Sequence, residues 1–318
     1  MTVTDELIER LKVLNQTVWE HQAEEPVIEA WLNNFVDPGA GTIDVQRLHA
    51  LYLLSRFMYF GRRELREMLR ALYRDLFRYR VIQSLRKAHS DTTDHVRLNA
   101  MFHAELMRTR FLGMGNPSES GTHLLYYFRQ ENRLPRDLFI NGHELFLRTS
   151  EGRVAPRFEE VTRFIFIDDF CGSGTQALEY SNDLVATIKG LQPGVDVAYY
   201  ALFAVDDGLD AVRKDGRFDS VDAIFVLDES YRCFAPDARD FRQSPVGVTQ
   251  TTAKAIAEHY GSSLQKHHPL GYKNGQLLIG FYHNTPDNTL PIIWYSEDHP
   301  AWTPIFRRYP KLFYTLAP

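Results

Sequence analysis

The stretch FIFIDDFCGSGTQ, residues 164–176, decides the fold that this chain is expected to adopt. Its first four residues, 164–167, form a continuous apolar run, which is typical of a strand buried on both faces of a parallel sheet. Asp168 and Asp169 follow this run. Because such sheets bind ligands at the carboxyl ends of their strands, we expect two carboxylates at the binding edge of an α/β sheet.

A loop of small residues comes next. Gly172, Ser173 and Gly174 let the backbone curl tightly, so that several N–H groups can point toward one anion. Residues 175–189 have the composition of a helix, whose positive end would face the same anion. The pattern predicts a phosphate held mainly by main chain, with the aspartates beside it free to bind hydroxyls or a divalent metal. An ordinary strand and tight turn with solvated acids is the alternative.

This segment resembles the ribose-phosphate loop of type I phosphoribosyltransferases: four apolar residues, two acids, a short variable stretch, then Thr-Gly-x-Thr. Ser173 and Gly174 match the first Thr and the Gly. Gln176 stands where the last Thr is expected, unless Thr175 takes that role after a shift of one residue. The resemblance implies that Asp168 and Asp169 hold the ribose hydroxyls of phosphoribosyl pyrophosphate and that the loop from Gly172 to Gln176 holds its 5-phosphate. A P-loop ATPase strand also ends in acids, but the sequence has no GxxxxGK[ST] motif.

Composition indicates a soluble globular protein. With 318 residues, 44% of them hydrophobic and 24% charged, the chain can hold two domains. We expect a cytoplasmic location, because no apolar run approaches membrane-helix length and the N-terminus lacks the apolar core of a secretion signal. The two cysteines, Cys171 and Cys233, fit a reducing compartment. Cys171 is either a reactive thiol near a helix terminus or, as we favour, a compact filler beneath the loop.

The chain is predicted to change character near residue 105. Residues 1–105 have no glycine-punctuated strands and are predicted to form an all-helical module that binds a partner. Its helices are expected from Thr4 or Asp5 to Glu20, over 25–35, and from Thr42 to Phe77 with a break or bend at Gly61. Residues 106–318 alternate strands and helices, which predicts a parallel-sheet α/β domain. The main predicted strands are 108–114, 164–167, 197–205, 223–227 and 276–282.

A basic stripe marks the helical part. Between Arg56 and Lys87 there are ten Lys or Arg against three acids, a local balance of +7 in a chain of net charge −5. A residue every four positions winds slowly around a helix, so these arginines would form one stripe. The stripe can bind nucleic acid or an acidic protein, or it can be a face neutralised by nearby acids. Its members are Arg62, Arg66, Arg70, Arg74 and Arg78.

The turn over residues 115–121 repeats the arrangement of strand, small-residue loop and helix. In phosphoribosyltransferases an early loop of this kind holds pyrophosphate, and the resemblance implies that Ser118, Ser120 and the backbone of Gly121 are the donors. Glu119 has the wrong charge for this role. It would act through magnesium or serve as an ordinary first-turn helix acid.

A second pair of acids, Asp228 and Glu229, ends another apolar strand in AIFVLDES. Two acid pairs at one edge of a sheet need a cation, and Mg²⁺ bridging pyrophosphate oxygens would supply it. Asp206 and Asp207 also follow a predicted strand, although a plain helix start explains them equally well.

The segment YHNTPDNTLPIIW, residues 282–294, is rich in groups that form hydrogen bonds from a loop. His283 can act as a general acid or base near neutral pH, with Asn284 and Asn288 orienting a base or amide. Turn formation alone also explains this composition.

Taken together, DDFCGSGTQ, LDES and HNTPDNTLPIIW resemble the phosphoribosyltransferase-like effector family of bacterial conflict and anti-phage systems, sometimes found beside retrons. The resemblance covers residues 105–310. It implies a type I phosphoribosyltransferase fold and a magnesium-dependent glycosyltransferase acting on a base, nucleotide or macromolecule, as a toxin would. The alternative is an inactive nucleotide sensor on the same fold. A nucleic-acid contact through the stripe is compatible with both.

Overall fold

The computed structural model describes residues 2–115, 120–296 and 301–309. The chain divides into two compact units. The first unit joins Met1–Arg62 to Asp228–Pro318, and the second unit is Arg63–Leu227. Neither unit begins at the predicted division between residues 105 and 106, because the C-terminal segment returns to the N-terminal helices.

Eleven α-helices occur in the described residues. In chain order they are α1 Val3–Thr17, α2 Glu25–Leu32, α3 Ile43–Ser55, α4 Arg62–Ala71, α5 Tyr79–Ala88, α6 His95–Met107, α7 Ser120–Glu131, α8 Thr175–Leu191, α9 Asp206–Asp215, α10 Gln250–Leu264 and α11 Pro291–Trp294. A π-helix, Leu72–Arg78, joins α4 to α5. None of the helices in the described part of the chain is long and apolar enough to cross a membrane.

The described residues form eight strands in three sheets. The strands are β1 Met58–Phe60, β2 Thr109–Gly113, β3 Phe146–Arg148, β4 Val154–Pro156, β5 Arg163–Cys171, β6 Asp196–Val205, β7 Ser220–Leu227 and β8 Ile279–Phe281. The central sheet of the second unit has the order β2-β5-β6-β7 with every neighbouring pair parallel. The predicted α/β fold with a parallel sheet and a helical N-terminus is therefore confirmed.

Helices cover both faces of this sheet, which explains its apolar strands. On one face, side chains of β5 and β6 such as Phe166 and Tyr199 share a buried cluster with α8 and α9. On the other face, the ring of Phe111 from β2 contacts Phe77 of the π-helix and Phe128 of α7, at centroid distances of 5.4 and 5.2 Å. The two-stranded ribbon β3-β4 is antiparallel and lies in the segment between α7 and β5.

The first unit has its own core, in which residues from the two ends of the chain pack together. Its buried cluster combines side chains of α1 and α3 with those of α10 and α11. The rings of Phe57 and Phe306 stack at 4.4 Å, and Trp31 Nε1 donates to the carbonyl of Ile292 at 2.7 Å. These contacts explain why residues after 227 belong with the N-terminal helices.

The N-terminal helices differ from the prediction in two places. Thr2, and not Thr4 or Asp5, caps α1, because its hydroxyl accepts from the Asp5 amide while the Asp5 carboxylate accepts from the Thr2 amide. The predicted helix from Thr42 is interrupted by β1, which pairs in parallel with β8. Aromatic residues suit strands, and a pairing partner far away in sequence overrides the local helical pattern.

The strand of the diagnostic motif is longer than predicted. β5 continues to Cys171, because Phe170 and Cys171 pair with Phe203 and Ala204 of β6. Asp168 and Asp169 therefore lie inside the strand and not after it. The predicted strand over 276–282 was also too long, and its central part, β8, pairs with β1 outside the parallel sheet.

The loop after β5 is in close contact with the first turn of α9. Gly174 has φ +74°, a left-handed conformation that favours glycine. A Cβ atom on Gly174 would lie 2.7 Å from the carbonyl oxygen of Gly208, and one on Gly208 would lie 2.1 Å from that of Gly172. Both glycines are therefore required by backbone packing at the ends of β5 and β6.

We predict that Gly208→Ala destabilises the protein by about 1–3 kcal/mol, because its methyl group must displace the Gly172 carbonyl. Urea denaturation of the full chain measures the effect. Gly190→Ala in α8 is the matched control, since a Cβ there meets nothing within 4 Å, and it should stabilise the helix by roughly 0.5–1 kcal/mol. Equal midpoints for the two variants would contradict the proposed packing.

Candidate functional site

The carboxyl group of Asp168 lies in the interior of the second unit. Its side chain is 7% exposed, and both oxygens accept hydrogen bonds. The amide of Asp169 donates to Oδ1 at 2.9 Å, and the hydroxyl of Tyr199 on β6 donates to Oδ2 at 2.7 Å. Asp169 is only partly buried. The acid pair thus has one member fixed within the sheet and one nearer the surface.

The two carboxyl groups interact directly. Burial raises the pKa of Asp168 well above its ordinary value, and the charge of Asp169 raises it further. A side-chain hydrogen bond between the two carboxyls acts in the same direction. Like charges this close disfavour each other's ionisation, so the neutral form of Asp168 is favoured. Asp168 was predicted to bind a ribose hydroxyl beside Asp169, but it is buried and both of its oxygens already accept hydrogen bonds. Only Asp169 lies nearer the surface.

Cys171 supports the loop from below. It is buried, and burial raises the pKa of its thiol to about 12. The thiol contacts the hydroxyl of Tyr199, and the amide of Gly174 donates to its sulfur. A thiol in this environment stays protonated, which agrees with the favoured prediction of a compact filler and not with a reactive cysteine.

The loop ends in a helix N-terminus of the kind that binds anions. Gly174 is the N-cap of α8 and supplies no capping side chain. The hydroxyls of Ser173 and Thr175 lie 3.0 Å apart, and Gln176 is exposed in the first turn. Main-chain amides at the start of a helix, together with two hydroxyls, form a suitable cradle for a phosphate group. The structure thus gives Gly172–Gln176 the local geometry that the sequence predicts.

The neighbouring acids Asp206 and Asp207 occupy the first turn of α9. Acids are favourable at this position because of the helix dipole, so the plain helix start accounts for them. Their chain neighbour Gly208 touches the loop after β5, as described above.

Asp228 follows β7, as predicted, and caps a short 3-10 helix, Glu229–Tyr231. Its Oδ1 accepts from the amide and the hydroxyl of Ser230 at 2.9 and 2.6 Å. These hydrogen bonds lower the pKa of Asp228. No cluster of three or more His, Cys, Asp or Glu suited to a metal occurs in the described ranges. The predicted metal role of Asp228 and Glu229 stays a prediction.

The other predicted loop is described only in part. Ser118 and Glu119 lie outside the described residues, whereas Ser120 and Gly121 begin α7. Gly115 lines a cavity of about 480 Å³ together with residues of α8 such as Tyr180 and Asp183. The role predicted for this loop in binding pyrophosphate stays a prediction.

The structure places His283 and Asn284 in the first unit, whereas the acid pair lies in the second. His283 stacks on Phe281 at 5.7 Å and lines a cavity of about 280 Å³. Oδ1 of Asn284 accepts from the amides of Thr285 and Tyr309, both at 3.0 Å. Asn288 is buried and donates to the carbonyl of Tyr272. These two asparagines therefore serve the loop backbone, as turn formation predicts.

The arginine stripe is divided and largely paired. Arg66 and Arg70 both contact Glu131 of α7, at 3.4 and 2.7 Å. Arg74 pairs with Asp75, and Arg78 donates to the side chain of Asn99. The π-helix Leu72–Arg78 also changes the angular step between successive arginines. These contacts favour a face neutralised by nearby groups, and a partner at the stripe stays a prediction.

Sequence reasoning missed Tyr199 and Gly208. Tyr199 lies in the apolar stretch VAYYALFAV, where a tyrosine looks like any buried strand residue. Its hydroxyl links Asp168 to Cys171 beneath the loop. Gly208 was visible as the glycine after two acids, but only the packed loop shows why a side chain is excluded there.

We predict that Asp168→Asn stabilises the protein at neutral pH. The raised pKa means that ionisation of Asp168 opposes folding, so the parent protein loses stability as pH rises from about 4 through the folded-state pKa. Asn does not ionise; its oxygen can accept from the Asp169 amide, and its NH2 group can donate to the hydroxyl oxygen of Tyr199. The gain should grow from pH 4 to pH 8 in urea denaturation series. The control is the exposed Asp183→Asn, and a loss of stability for Asp168→Asn at pH 8 would refute this reasoning.

Comparison with known proteins gives one match across most of the chain. The family model PRTase-CE matches residues 28–308. No curated protein matches the sequence. Among solved structures, an orotate phosphoribosyltransferase from Aeropyrum pernix is 11% identical, with 41% of this chain and 73% of that chain covered at a TM-score of 0.24. A TM-score of this size does not establish a shared fold. The family match, which includes both the acid pair and the loop after it, shows that the chain belongs to the phosphoribosyltransferase-like family PRTase-CE.

Proposed function

We propose that this protein is an enzyme that transfers the phosphoribosyl group of phosphoribosyl pyrophosphate to an acceptor, with Mg²⁺ as cofactor. The observation that carries the proposal is the acid pair Asp168 and Asp169, followed at once by a small-residue loop that ends at a helix N-terminus, in a chain of the PRTase-CE family. A sugar phosphate needs both features, since it presents an anion and a pair of hydroxyls a few bonds apart.

The loop Gly172–Gln176 would bind the 5-phosphate. The first-turn amides of α8 point out of the helix N-terminus, where the helix dipole favours negative charge. The hydroxyls of Ser173 and Thr175, which form a hydrogen bond with each other at 3.0 Å, would turn toward the phosphate on the same loop. Gly208 holds the loop against α9, so that the cradle is formed before the ligand arrives.

The acid pair would act on the ribose. Asp169, the more accessible member, would accept hydrogen bonds from the ribose hydroxyls. As the bond from C1 to the pyrophosphate oxygen breaks, positive charge develops on the ring, and a carboxylate beside it stabilises the transition state more than the ground state. Asp168 would hold the backbone of Asp169 in place through the hydrogen bond that it accepts from the Asp169 amide.

Magnesium would offset the charge of the departing pyrophosphate. Because Mg²⁺ commonly binds one or two carboxylates together with substrate phosphates and water, a site of this type does not require a large protein cluster. Asp228 and Glu229 are the proposed protein ligands, and the lowered pKa of Asp228 keeps its carboxylate charged.

The acceptor would be a base, a nucleotide or a macromolecule, with His283 as the proposed general acid or base and Asn284 beside it. We further propose a role as a toxin effector in anti-phage defence in the cytoplasm, with a protein or nucleic-acid partner at the stripe Arg62–Arg78. These finer proposals rest on the resemblance of the DDFCGSGTQ, LDES and HNTPDNTLPIIW segments to such effectors.

A second candidate function is a nucleotide sensor without turnover. Two observations favour it. Gln176 stands in place of a hydroxyl residue, and Asp168 already accepts a hydrogen bond from Tyr199 inside the sheet. Adding phosphoribosyl pyrophosphate and Mg²⁺ while pyrophosphate is measured separates the two functions. Binding without release of pyrophosphate supports the sensor.

We predict that Asp169→Asn lowers the rate of pyrophosphate release by at least roughly a hundredfold, because removal of one preorganised charge from a transition state typically has an effect of this size. The thermal unfolding temperature should not fall, because Asp169 is only partly buried and its charge raises the pKa of Asp168. Glu64→Gln, an exposed acid on α4, is the control and should retain full activity. Normal turnover by a folded Asp169→Asn protein would remove the acid pair from the mechanism.

A further inference from the structure

A cleft in the first unit has the chemistry of an anion site, although the function proposed above does not require it to be one. It has a volume of about 280 Å³, slightly below the roughly 300–1,000 Å³ that is usual for small-molecule pockets. Thirteen described residues line it, and none of them is Asp or Glu. The positively charged or polar donors among them include Arg307, His283 and Asn284.

Two of these donors are available to a ligand. Arg307 is exposed and has no hydrogen-bond or ion-pair partner within residues 2–115, 120–296 and 301–309. Because Oδ1 of Asn284 accepts from the amides of Thr285 and Tyr309, the orientation of its amide is fixed. Its Nδ2 group remains as a donor with no partner in the same described ranges.

Nearby acids do not cancel this positive character. Asp287 pairs with Arg308 at 3.1 Å, and Glu20 accepts from the amide of Arg62 at 2.9 Å. The guanidinium of Arg62 lies over the ring of Tyr282, a lining residue, at 5.5 Å. The cleft thus combines a guanidinium group, amide donors and tyrosine rings, with no carboxylate among its lining residues.

We infer that this cleft binds a phosphate monoester. Arginine presents paired donors that match phosphate oxygens, and the doubly charged group gains more from such a site than a carboxylate does. The volume admits a phosphate together with a small sugar, and the exposed ring of Tyr309 offers aromatic surface to the rest of the ligand. The site consists of first-unit residues only.

The test uses the full-length protein and three probes: inorganic phosphate, ribose 5-phosphate and adenosine monophosphate. Calorimetry gives the dissociation constants, and the imidazole NMR signals of His283, assigned with His283→Gln, report on the cleft itself. We expect at least one of the two esters to bind more tightly than inorganic phosphate and to shift the His283 signals. The ester that binds tighter identifies whether the site prefers a sugar phosphate or a nucleotide.

Arg307→Gln should weaken ester binding at the cleft roughly tenfold or more, as expected for loss of a charged hydrogen-bond donor. Arg153→Gln, which removes an exposed arginine of the second unit, should leave the dissociation constant within about twofold, because Arg153 is not one of the lining residues. The inference is overturned if millimolar esters leave the His283 signals unmoved, or if Arg307→Gln binds as tightly as the parent protein. Esters that bind only at the loop after β5 would leave the His283 signals unmoved. The NMR signals therefore distinguish binding at the loop from binding at the cleft.

Discussion

The buried carboxyl group of Asp168 is the constraint on which the rest of the site depends. An acid inside a sheet must find donors for its oxygens, and here they are the Asp169 amide and the Tyr199 hydroxyl. Tyr199 also contacts Cys171, whose sulfur accepts from the amide of Gly174. A chain of polar contacts therefore connects the acid pair, through Tyr199 and Cys171, to Gly174, the N-cap residue of α8. It crosses the adjacent strands β5 and β6.

Backbone contacts with the first turn of α9 also fix the position of the loop. Gly174 adopts a left-handed conformation, and Gly208 allows the turn after β6 to touch the carbonyl of Gly172. The position of the loop is thus determined by the ends of two strands and not by its own flexibility. A preformed loop loses less conformational entropy when a ligand binds, which is the advantage of building an anion site in this way.

Much of the second unit could be predicted from the sequence, because its signals are local. The apolar run before Asp168 and the small residues after it indicate a buried strand, a tight loop and a helix, and all three occur. The predicted end of β5 was wrong, because pairing of Phe170 with Phe203 extends the strand. β1 was missed because its partner β8 lies more than 200 residues away, and no local pattern reports such a contact.

The energetic cost of the acid pair bears on its purpose. At a pH where both carboxyls are ionised in the unfolded chain, the burial of Asp168 and the charge of Asp169 oppose folding. An amide at position 168 would satisfy the neighbouring amide and hydroxyl without this repulsion, so packing alone does not explain an acid there. Strongly perturbed acids cluster at functional sites, where a charge or a proton is needed at a fixed place. The pair lies directly before the loop that we propose as a phosphate site, and the proposed chemistry on a sugar phosphate would account for its position.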